Sequence, residues 1–574
     1  MNETDIAGNT VIRPAWWLAF VGLILILTGA MLASMIRTSS GTSVRDIRFT
    51  GTNGTVMSAL LYVPQGASPT QRVPGILAVH GYINSRETQD GFAIEFARRG
   101  YVVLSLDQTG HGYSGGAAFS NGFGGPDGLR YLRSLPMVDP SQIGLEGHSM
   151  GGWTILAAAA AMPDAYKAIV LEGSSTGAPF AKEGSPTWPR NLALVFSRYD
   201  EFSKIMWGVD RAQDVATSPK LQAVFGAKTA IVEGQLYGAI ADGTARILLQ
   251  PSTTHPGDHI STAAIGHATD WFALTLNGGH ERPASDQIWY WKEMGTGIGL
   301  IGFVMILLGA ADILIRLPFF SPLRADAIPA VANRDRRWWR SFGLTAAMPA
   351  LLFFPTFIAA YFLLPPSAWL PQAVTTQVTL WALVGAGVSL LMHRFTGSST
   401  TTPQSGWSRS ILLAVATVAI GYGVLFLVDQ VFHTDFRFWV VAVKFPNVRQ
   451  WEIATIYVVP LTLAFLVTLR TLCGTLTVRG DTVLLRYSVA ALTLTTGFIV
   501  MLGLIYGFFF MTGTLVTGFD PLSTVIALQF VPVLAAVAVI GIFTWQRTNS
   551  HRSGALIAGM LVTLYVVAGT ATQI

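Results

Sequence analysis

Long apolar runs lie at both ends of this chain, and they constrain its fold more than any other feature. The run at residues 16–36 and a series of runs between residues 296 and 571 are each about 20 residues long, which is the length of α-helix that crosses a bilayer. Only 12% of the 574 residues are charged, where a soluble protein has about 25%. Residues 43–288 nevertheless have the mixed polarity of an ordinary soluble domain. The sequence therefore predicts an integral membrane protein that carries one large soluble domain.

This pattern divides the chain into three parts. Residues 1–42 form an N-terminal tail and a transmembrane anchor, residues 43–288 form the soluble domain, and residues 289–574 form a membrane domain of about eight helices. The alternative for the first apolar run is a cleaved signal peptide, but the core of such a peptide is only about 7–15 residues long. Either interpretation exports the soluble domain. The eight spans are predicted near residues 296–316, 342–364, 373–392, 410–431, 453–470, 486–511, 523–545 and 554–571.

Arginine in the short connections predicts the orientation of the spans. Four alternate connections carry arginine, whereas residues 365–372 and 512–522 contain neither lysine nor arginine. Cytoplasmic connections carry the excess of positive charge, which places the N-terminus inside and the soluble domain outside, in the plasma membrane by our expectation. The arginine-bearing connections are residues 317–341, 393–409, 471–485 and 546–553, of which residues 397–406 are predicted to be a flexible loop.

One connection disagrees with this orientation. Residues 432–452 fall on the predicted outer side, yet they carry Arg437, Lys444 and Arg449. The lone cysteine, Cys473, falls on the reducing cytoplasmic side, which agrees with the assignment.

Within residues 43–288, short apolar runs alternate with helical segments. Residues 44–49 and 56–63 alternate in polarity around a glycine-containing turn, which predicts a β-hairpin. The alternation that follows predicts a mostly parallel sheet with helices on both faces. Further strands are predicted at residues 76–79, 101–106, 142–146, 168–171, 192–196 and 246–249, and helices at residues 89–99, 126–135, 150–162 and 261–276.

A G-x-S-x-G motif, Gly147-His148-Ser149-Met150-Gly151, lies between a predicted strand and a predicted helix. Two glycines allow a tight strand-to-helix turn that exposes the serine hydroxyl and directs backbone amides toward it. A chance turn between small residues is the alternative, and the strand before and the helix after argue against it. Ser149 is therefore the candidate nucleophile, and it requires a base, an acid that orients the base, and donors for an oxyanion.

A second strand ends in His80-Gly81, where the chain must turn sharply. The next amide, that of Tyr82, can point into the cavity above Ser149. Together with the amide of Met150 it would form an oxyanion hole with two donors.

These motifs resemble the α/β-hydrolase superfamily, most closely its dienelactone-hydrolase-like and serine-aminopeptidase-like branches. The resemblance rests on His80-Gly81, on the run 107–115 (DQTGHGYSG) and on the run 147–152 (GHSMGG), each after a strand and in the family's order. It covers about residues 43–280. It implies an α/β-hydrolase domain, which precedes an all-α transmembrane bundle.

The resemblance also implies the remaining members of a catalytic triad. The acid would follow the strand at residues 192–196, where Asp200 fits best and Glu201 is the alternative. The base would lie before the closing helix, where the family spacing favours His255 over His259. The order Ser149, Asp200, His255 is that of α/β-hydrolases.

Two further regions depart from a minimal hydrolase. Residues 203–245 are long enough to form a cap over the site, and Met206, Trp207 and Tyr237 could line it, although packing is the simpler role for each. In the membrane half, Asp312 and Asp429 are carboxylates inside spans. Asp312 lies four residues before Arg316, which predicts an ion pair.

We therefore expect a membrane-anchored serine hydrolase that cleaves an acyl ester or a lipid-like substrate at a bilayer surface. A transporter or channel with a hydrolase-like regulatory domain is an alternative, as is an acyltransferase or a peptidase that uses the same triad. No basic stripe with interleaved aromatic residues occurs, so nucleic acid is not expected as a partner. No H-E-x-x-H, P-loop or dinucleotide motif occurs, so we expect no metal and no cofactor.

Overall fold

A computed structural model describes residues 14–329, 333–396 and 406–574 of the chain. The flexible loop predicted at residues 397–406 lies, apart from Gly406, outside the described residues. The helices are α1 (Trp16–Arg37), α2 (Asp90–Arg98), α3 (Gly125–Ser134), α4 (Met150–Ala161), α5 (Ser203–Trp207), α6 (Pro219–Phe225), α7 (Thr262–Thr275), α8 (Trp289–Arg316), α9 (Arg336–Leu363), α10 (Ala373–Thr396), α11 (Trp407–Phe432), α12 (Val448–Thr475), α13 (Val483–Thr512), α14 (Pro521–Thr548) and α15 (Arg552–Gly569). The strands are β1 (Ser43–Thr50), β2 (Val56–Val63), β3 (Val73–Val79), β4 (Val102–Leu106), β5 (Val138–His148), β6 (Ala168–Glu172), β7 (Leu192–Val195), β8 (Arg246–Leu249), β9 (Phe436–Phe438) and β10 (Val441–Val443).

Eight strands form one sheet in the order β1-β2-β4-β3-β5-β6-β7-β8. β1 and β2 form the predicted antiparallel hairpin, β2 pairs antiparallel with β4, and all the other pairs are parallel. The central strands are buried on both faces, because α3 and α4 cover one face and α2 and α7 cover the other. The predicted fold, an α/β sheet domain joined to an all-α membrane bundle, is confirmed.

In the part of the chain that the structure describes, nine helices are long and apolar enough to cross a membrane. They correspond to the nine predicted spans, and most extend a few residues beyond the apolar runs. The anchor α1 is not isolated, because it packs along the length of α8. Glycines allow this contact: a Cβ atom at Gly29 would lie 2.3 Å from the carbonyl oxygen of Gly295. Small residues let two membrane helices approach in this way.

Arg316 at the end of α8 and Arg547 near the end of α14 meet the start of α1 at one end of the bundle. There Asp312 receives hydrogen bonds from Arg316 Nε at 2.9 Å, from Arg547 Nε at 2.6 Å and from the Ala15 amide at 2.8 Å. The predicted pairing of Asp312 with Arg316 is therefore present, and α14 and the start of α1 join it. This carboxylate fastens three helices at one end of the bundle.

The opposite end of the bundle packs directly on the sheet domain. Asp90 at the start of α2 forms ion pairs with Arg37 of α1 and Lys292 of α8, the latter at 2.8 Å, and accepts a hydrogen bond from Tyr62. The other intramembrane carboxylate, Asp429 of α11, accepts a hydrogen bond from Tyr113 at 2.8 Å. Both groups of contacts hold the sheet domain against the helix ends.

The connection that disagreed with the orientation rule contains the hairpin β9–β10, which the sequence did not predict. Its positive charges pair with acidic side chains: Arg437 with Asp435, and Lys444 with Glu87 of the sheet domain at 3.7 Å. Arg437 and Lys444 are buried between the two halves of the protein, whereas Arg449 pairs with Glu452 at the surface. Neutralised charges of this kind carry little information about orientation, which explains why this connection disagrees with the other four.

Candidate active site

Ser149 occupies a strained turn between β5 and α4. Its backbone has φ +54° and ψ −120°, a conformation that side chains rarely adopt. A Cβ atom at Gly147 would lie 2.4 Å from the backbone carbon of Gly151, and one at Gly151 would lie 2.1 Å from the carbonyl oxygen of Val79. Only glycine fits at these two positions, so the motif residues themselves produce the turn. The Ser149 carbonyl also accepts a hydrogen bond from Ser174 Oγ at 2.7 Å, which fixes the turn from behind.

The turn after β3 lies against Ser149. A Cβ atom at Gly81 would lie 3.1 Å from Ser149 Cβ, so the backbone that leads into Tyr82 passes next to the serine. The Met150 amide is the first of α4, and an amide at that position has no acceptor within its own helix. Tyr82 and Met150, whose amides are the candidate oxyanion donors, line one cavity with Ser149.

Asp200 and His255 are hydrogen-bonded to each other. His255 Nδ1 lies 2.8 Å from Asp200 Oδ2, and both side chains are buried. Burial lowers the pKa of His255 to about 4, so its imidazole is neutral near neutral pH. Burial is the main cause that raises the pKa of Asp200, and the charge of the nearby Asp258 is the second. The Phe202 amide, which donates to Asp200 Oδ1 at 2.8 Å, acts in the opposite direction and lowers this pKa. This pair has the arrangement in which an acid orients a base.

The two alternative triad residues have other partners. Glu201 does not bond to the imidazole of His255 but accepts from its backbone amide at 2.8 Å. His259 packs its ring on His148, with 4.1 Å between the ring centroids, and near Phe92. Both ring nitrogens of His259 are buried without a hydrogen-bond partner in the described part of the chain. Asp200 and His255 are thus the acid and the histidine that the structure joins.

Asp107, which also follows a strand, holds a turn together. Its carboxylate accepts hydrogen bonds from Ser58 Oγ at 2.9 Å, from the Arg86 amide at 2.9 Å and from the Tyr113 amide at 3.0 Å. These contacts occupy the carboxylate and join the loop after β4 to β2 and to the segment that follows β3.

A cavity of about 870 Å³ lies above Ser149 and His255, between the sheet domain and the bundle. Aromatic side chains form its wall on the sheet-domain side: Phe119 stacks on Phe180 at 5.5 Å, and Phe180 packs on Trp153 at 5.0 Å. The opposite wall consists of side chains from α9, α10 and α14 and from the β9–β10 hairpin, among them Ile358, Phe362, Val374, Leu522, Val525 and Trp439.

The membrane bundle thus forms the roof that was predicted for residues 203–245. From that segment only Ile205 and Met206 line the cavity. Trp207 is buried in the core, where its Nε1 donates to the Ser174 carbonyl at 3.0 Å. Tyr237 packs on Phe225 and accepts from the Val232 amide. The packing role considered for Trp207 and Tyr237 is the one they have.

Sequence reasoning did not identify three side chains of the bundle that reach the site. The hydroxyl of Tyr506 donates to Glu201 Oε1 at 2.8 Å, Trp439 Nε1 donates to the Pro256 carbonyl at 2.8 Å, and Gln573 Nε2 lies 3.4 Å from Tyr82 Oη. Aromatic residues near helix ends are common at membrane interfaces, so neither Tyr506 nor Trp439 is distinguished by its local sequence.

Known proteins resemble the part of the chain that carries this site. Residues 74–205 match the family model of the alpha/beta hydrolase fold. The chain is similar to the alpha/beta hydrolase GrgF from a Penicillium species, at 24% identity and a TM-score of 0.21 over 23% of this chain, and it spans only 47% of that protein's length. A dienelactone hydrolase-like promiscuous phosphotriesterase from metagenomic libraries matches at 16% identity and a TM-score of 0.30, over 41% of this chain and 99% of its own. An esterase from the hyperthermophilic archaeon Pyrobaculum calidifontis matches at 16% identity and a TM-score of 0.31. The match covers 45% of this chain and 94% of the esterase.

The family match covers the central strands of the sheet and the strained serine turn. The soluble part of this protein has the α/β-hydrolase fold.

Proposed function

We propose that the protein is a membrane-bound serine hydrolase that cleaves acyl esters through Ser149, His255 and Asp200. One observation carries the proposal. Ser149, on a strained turn that fixes its position, and His255, oriented by Asp200 at 2.8 Å, line the same cavity. A turn conformation that costs free energy persists where the surrounding structure enforces it, and this is common at active sites.

Each residue has a defined step in this mechanism. The neutral imidazole of His255 accepts the proton of the Ser149 hydroxyl as the oxygen attacks the ester carbonyl, and Asp200 stabilises the imidazolium that forms. The amides of Met150 and Tyr82 donate to the oxyanion of the tetrahedral intermediate. The imidazolium then protonates the leaving alcohol, which leaves an acyl-serine. Water, deprotonated by His255, releases the acid and restores the serine.

The walls of the cavity favour an acyl ester with a large apolar part that enters from the bilayer. Tyr361 and Phe362 near the end of α9, and Phe519 in the connection before α14, line the cavity and are 65%, 73% and 68% exposed. Exposed aromatic side chains at this position would face lipid. A substrate that is dissolved in the bilayer could therefore reach Ser149 from the side without crossing water.

For the orientation we propose a cytoplasmic N-terminus and an extracytoplasmic hydrolase domain in the plasma membrane. The four connections with arginine support this assignment, and in the one connection that disagrees Arg437 and Lys444 form buried ion pairs and Arg449 pairs with Glu452. Protease added to intact cells should then cleave within residues 43–288. Cleavage of the connection at residues 317–341 with the hydrolase domain protected would reverse the orientation.

The catalytic proposal is tested by labelling membranes with a fluorophosphonate, a probe that reacts with activated serines. We expect wild-type protein to be labelled and Ser149→Ala to remain unlabelled at equal abundance. A Ser134→Ala variant is the matched control, because Ser134 ends α3, does not line the cavity and donates its hydroxyl to the Tyr131 carbonyl. Labelling that survives in Ser149→Ala would refute the assignment of the nucleophile.

Long-chain and short-chain acyl esters presented in lipid vesicles test the proposed substrate class. Faster Ser149-dependent turnover of the long-chain ester would support entry from the bilayer, and a preference for the short, water-soluble ester would contradict it.

A further inference from the structure

The C-terminal end of α13 is fastened to the loop that carries the candidate acid. Tyr199 packs its ring on Phe509 and Phe510 of α13, with centroid distances of 6.2 and 5.1 Å. Later in the chain, the backbone of Arg211 forms a β-bridge with that of Thr514, which lies just after the end of α13. The membrane helix and the acid loop therefore form one packed unit, which fixes the position of the side chains between them.

Within this unit, Glu201 joins the membrane helix to the catalytic histidine. Its Oε1 accepts a hydrogen bond from Tyr506 of α13 at 2.8 Å, and its Oε2 accepts one from the backbone amide of His255 at 2.8 Å. Glu201 is only 3% exposed, so water does not replace either donor easily. The position of the His255 backbone thus depends on a carboxylate whose other oxygen is held from within the bundle.

The loop of His255 is held by the bundle from a second side. Trp439, in the turn of the β9–β10 hairpin, donates its Nε1 to the carbonyl of Pro256 at 2.8 Å. His255 and Pro256 open a short 3-10 turn, which contains few hydrogen bonds of its own and therefore depends on external contacts for its geometry.

We infer that Tyr506 is a positioning residue of the active site, acting through Glu201 to hold His255 where it can accept the proton of Ser149. The inference rests on the proposed function and deepens it, because it makes a transmembrane helix a structural component of the triad. Tyr506 itself contacts no reacting atom. Its loss should therefore reduce the rate of the chemical step and leave substrate binding nearly unchanged.

The test compares Tyr506→Phe with Tyr487→Phe in the full-length protein. Both tyrosines lie on α13 and each donates its hydroxyl to a side chain, but Tyr487 bonds to Gln546, at the other end of the helix. We expect Tyr506→Phe to lower kcat about 3- to 10-fold, the effect of one net hydrogen bond, with KM within about twofold of wild type. Tyr487→Phe should have wild-type kcat.

A double-mutant cycle separates this role from general stabilisation. Glu201→Ala removes both hydrogen bonds, so adding Tyr506→Phe to it should change kcat no further. Glu201→Gln keeps a carbonyl oxygen for the His255 amide and should retain more activity than Glu201→Ala. If Glu201→Ala does not fold, the same cycle is run on Glu201→Gln, where the two effects should again be less than additive.

The pH profile gives an independent readout. Glu201 faces Asp200 and the His255 loop from its own domain and Tyr506 from α13. Burial and then the charge of Asp200 raise the pKa of Glu201 to about 8, and the Tyr506 hydroxyl opposes this rise. Ionisation of Glu201 near pH 8 should change kcat, because Glu201 holds the backbone amide of His255. In Tyr506→Phe this change in kcat should move to higher pH, whereas in Tyr487→Phe it should stay in place.

Wild-type kcat in Tyr506→Phe, or full additivity with the Glu201 variant, would overturn the inference while the proposed function stands. Turnover that persists in Ser149→Ala would overturn the proposed function and the inference with it.

Discussion

The buried environment of His255 leads to a specific pH dependence. Its imidazole must be neutral to accept the proton of Ser149, so the rate of acylation should rise with pH through the pKa of His255. Burial lowers that pKa from its ordinary value of 6.5 to about 4. Lowering the pH of the assay from about 7.5 to about 4.5 is therefore the perturbation that reports on this environment.

The expected magnitude follows from the two pKa values. At about pH 5.5 a histidine with a pKa of about 4 is about 97% neutral, whereas one with a pKa of 6.5 is about 9% neutral. The value of kcat/KM at pH 5.5 should thus remain within about 10% of its value at pH 7, and its midpoint should lie near pH 4. A solvated histidine would cause a fall of about tenfold over the same interval.

Stability must be measured in parallel, because the lowered pKa of His255 also makes the folded protein less stable in acid. The unfolded chain binds the proton with a pKa near 6.5 and the folded chain only near 4, so the free energy of unfolding falls as the pH falls below 6.5. Initial rates with a neutral acyl ester, divided by the folded fraction at each pH, separate the two effects. A rate midpoint at or above about pH 6 in fully folded protein would refute the reasoning, since it would place water around the imidazole.

Two further predictions concern individual side chains. His255→Ala should lower kcat about 10²- to 10⁴-fold, which is the contribution of a general base. His259→Ala should mainly lower the melting temperature. A larger loss of kcat in His259→Ala than in His255→Ala would exchange their roles. Asp312→Ala leaves Arg547 buried without its acceptor, and should lower the free energy of unfolding by about 3–5 kcal/mol in detergent without changing the Ser149 reaction in protein that remains folded. An unchanged melting temperature would contradict the ion-pair assignment.

The sequence predicted the features of the site that depend on a few neighbouring residues. The serine turn is an example, because Gly147 and Gly151 are required by atoms that lie within the motif or on the adjacent strand. The nine spans are another, because each depends only on its own apolar length. In such cases the physical cause and the sequence signal lie in the same short segment.

The choice between the two histidines could not be made in this way. His255 and His259 lie four residues apart in one 3-10 turn, and only the family spacing favoured His255. Their roles separate because Asp200 meets His255, whereas His259 faces His148 and Phe92. Those contacts come from three other segments of the chain, so spacing within the loop does not determine them.

The β9–β10 hairpin was not predicted from the sequence, for a related reason. Its strands have three residues each, too few for a visible alternation in polarity. The burial of Lys444 could not be predicted, because its partner Glu87 lies more than 300 residues earlier in the chain. A charge that is neutralised by a distant partner has the same sequence signature as one in water.

The roof of the cavity gives a physical reason for a bundle larger than an anchor requires. Residues 203–245 contribute only Ile205 and Met206 to this cavity. The opposite wall comes from α9, α10, α14 and the β9–β10 hairpin. The bundle also supplies the hydrogen bonds of Tyr506 and Trp439 to the segments that carry Glu201 and His255. Under the proposed function, the membrane domain would therefore shape the active site as well as anchor it.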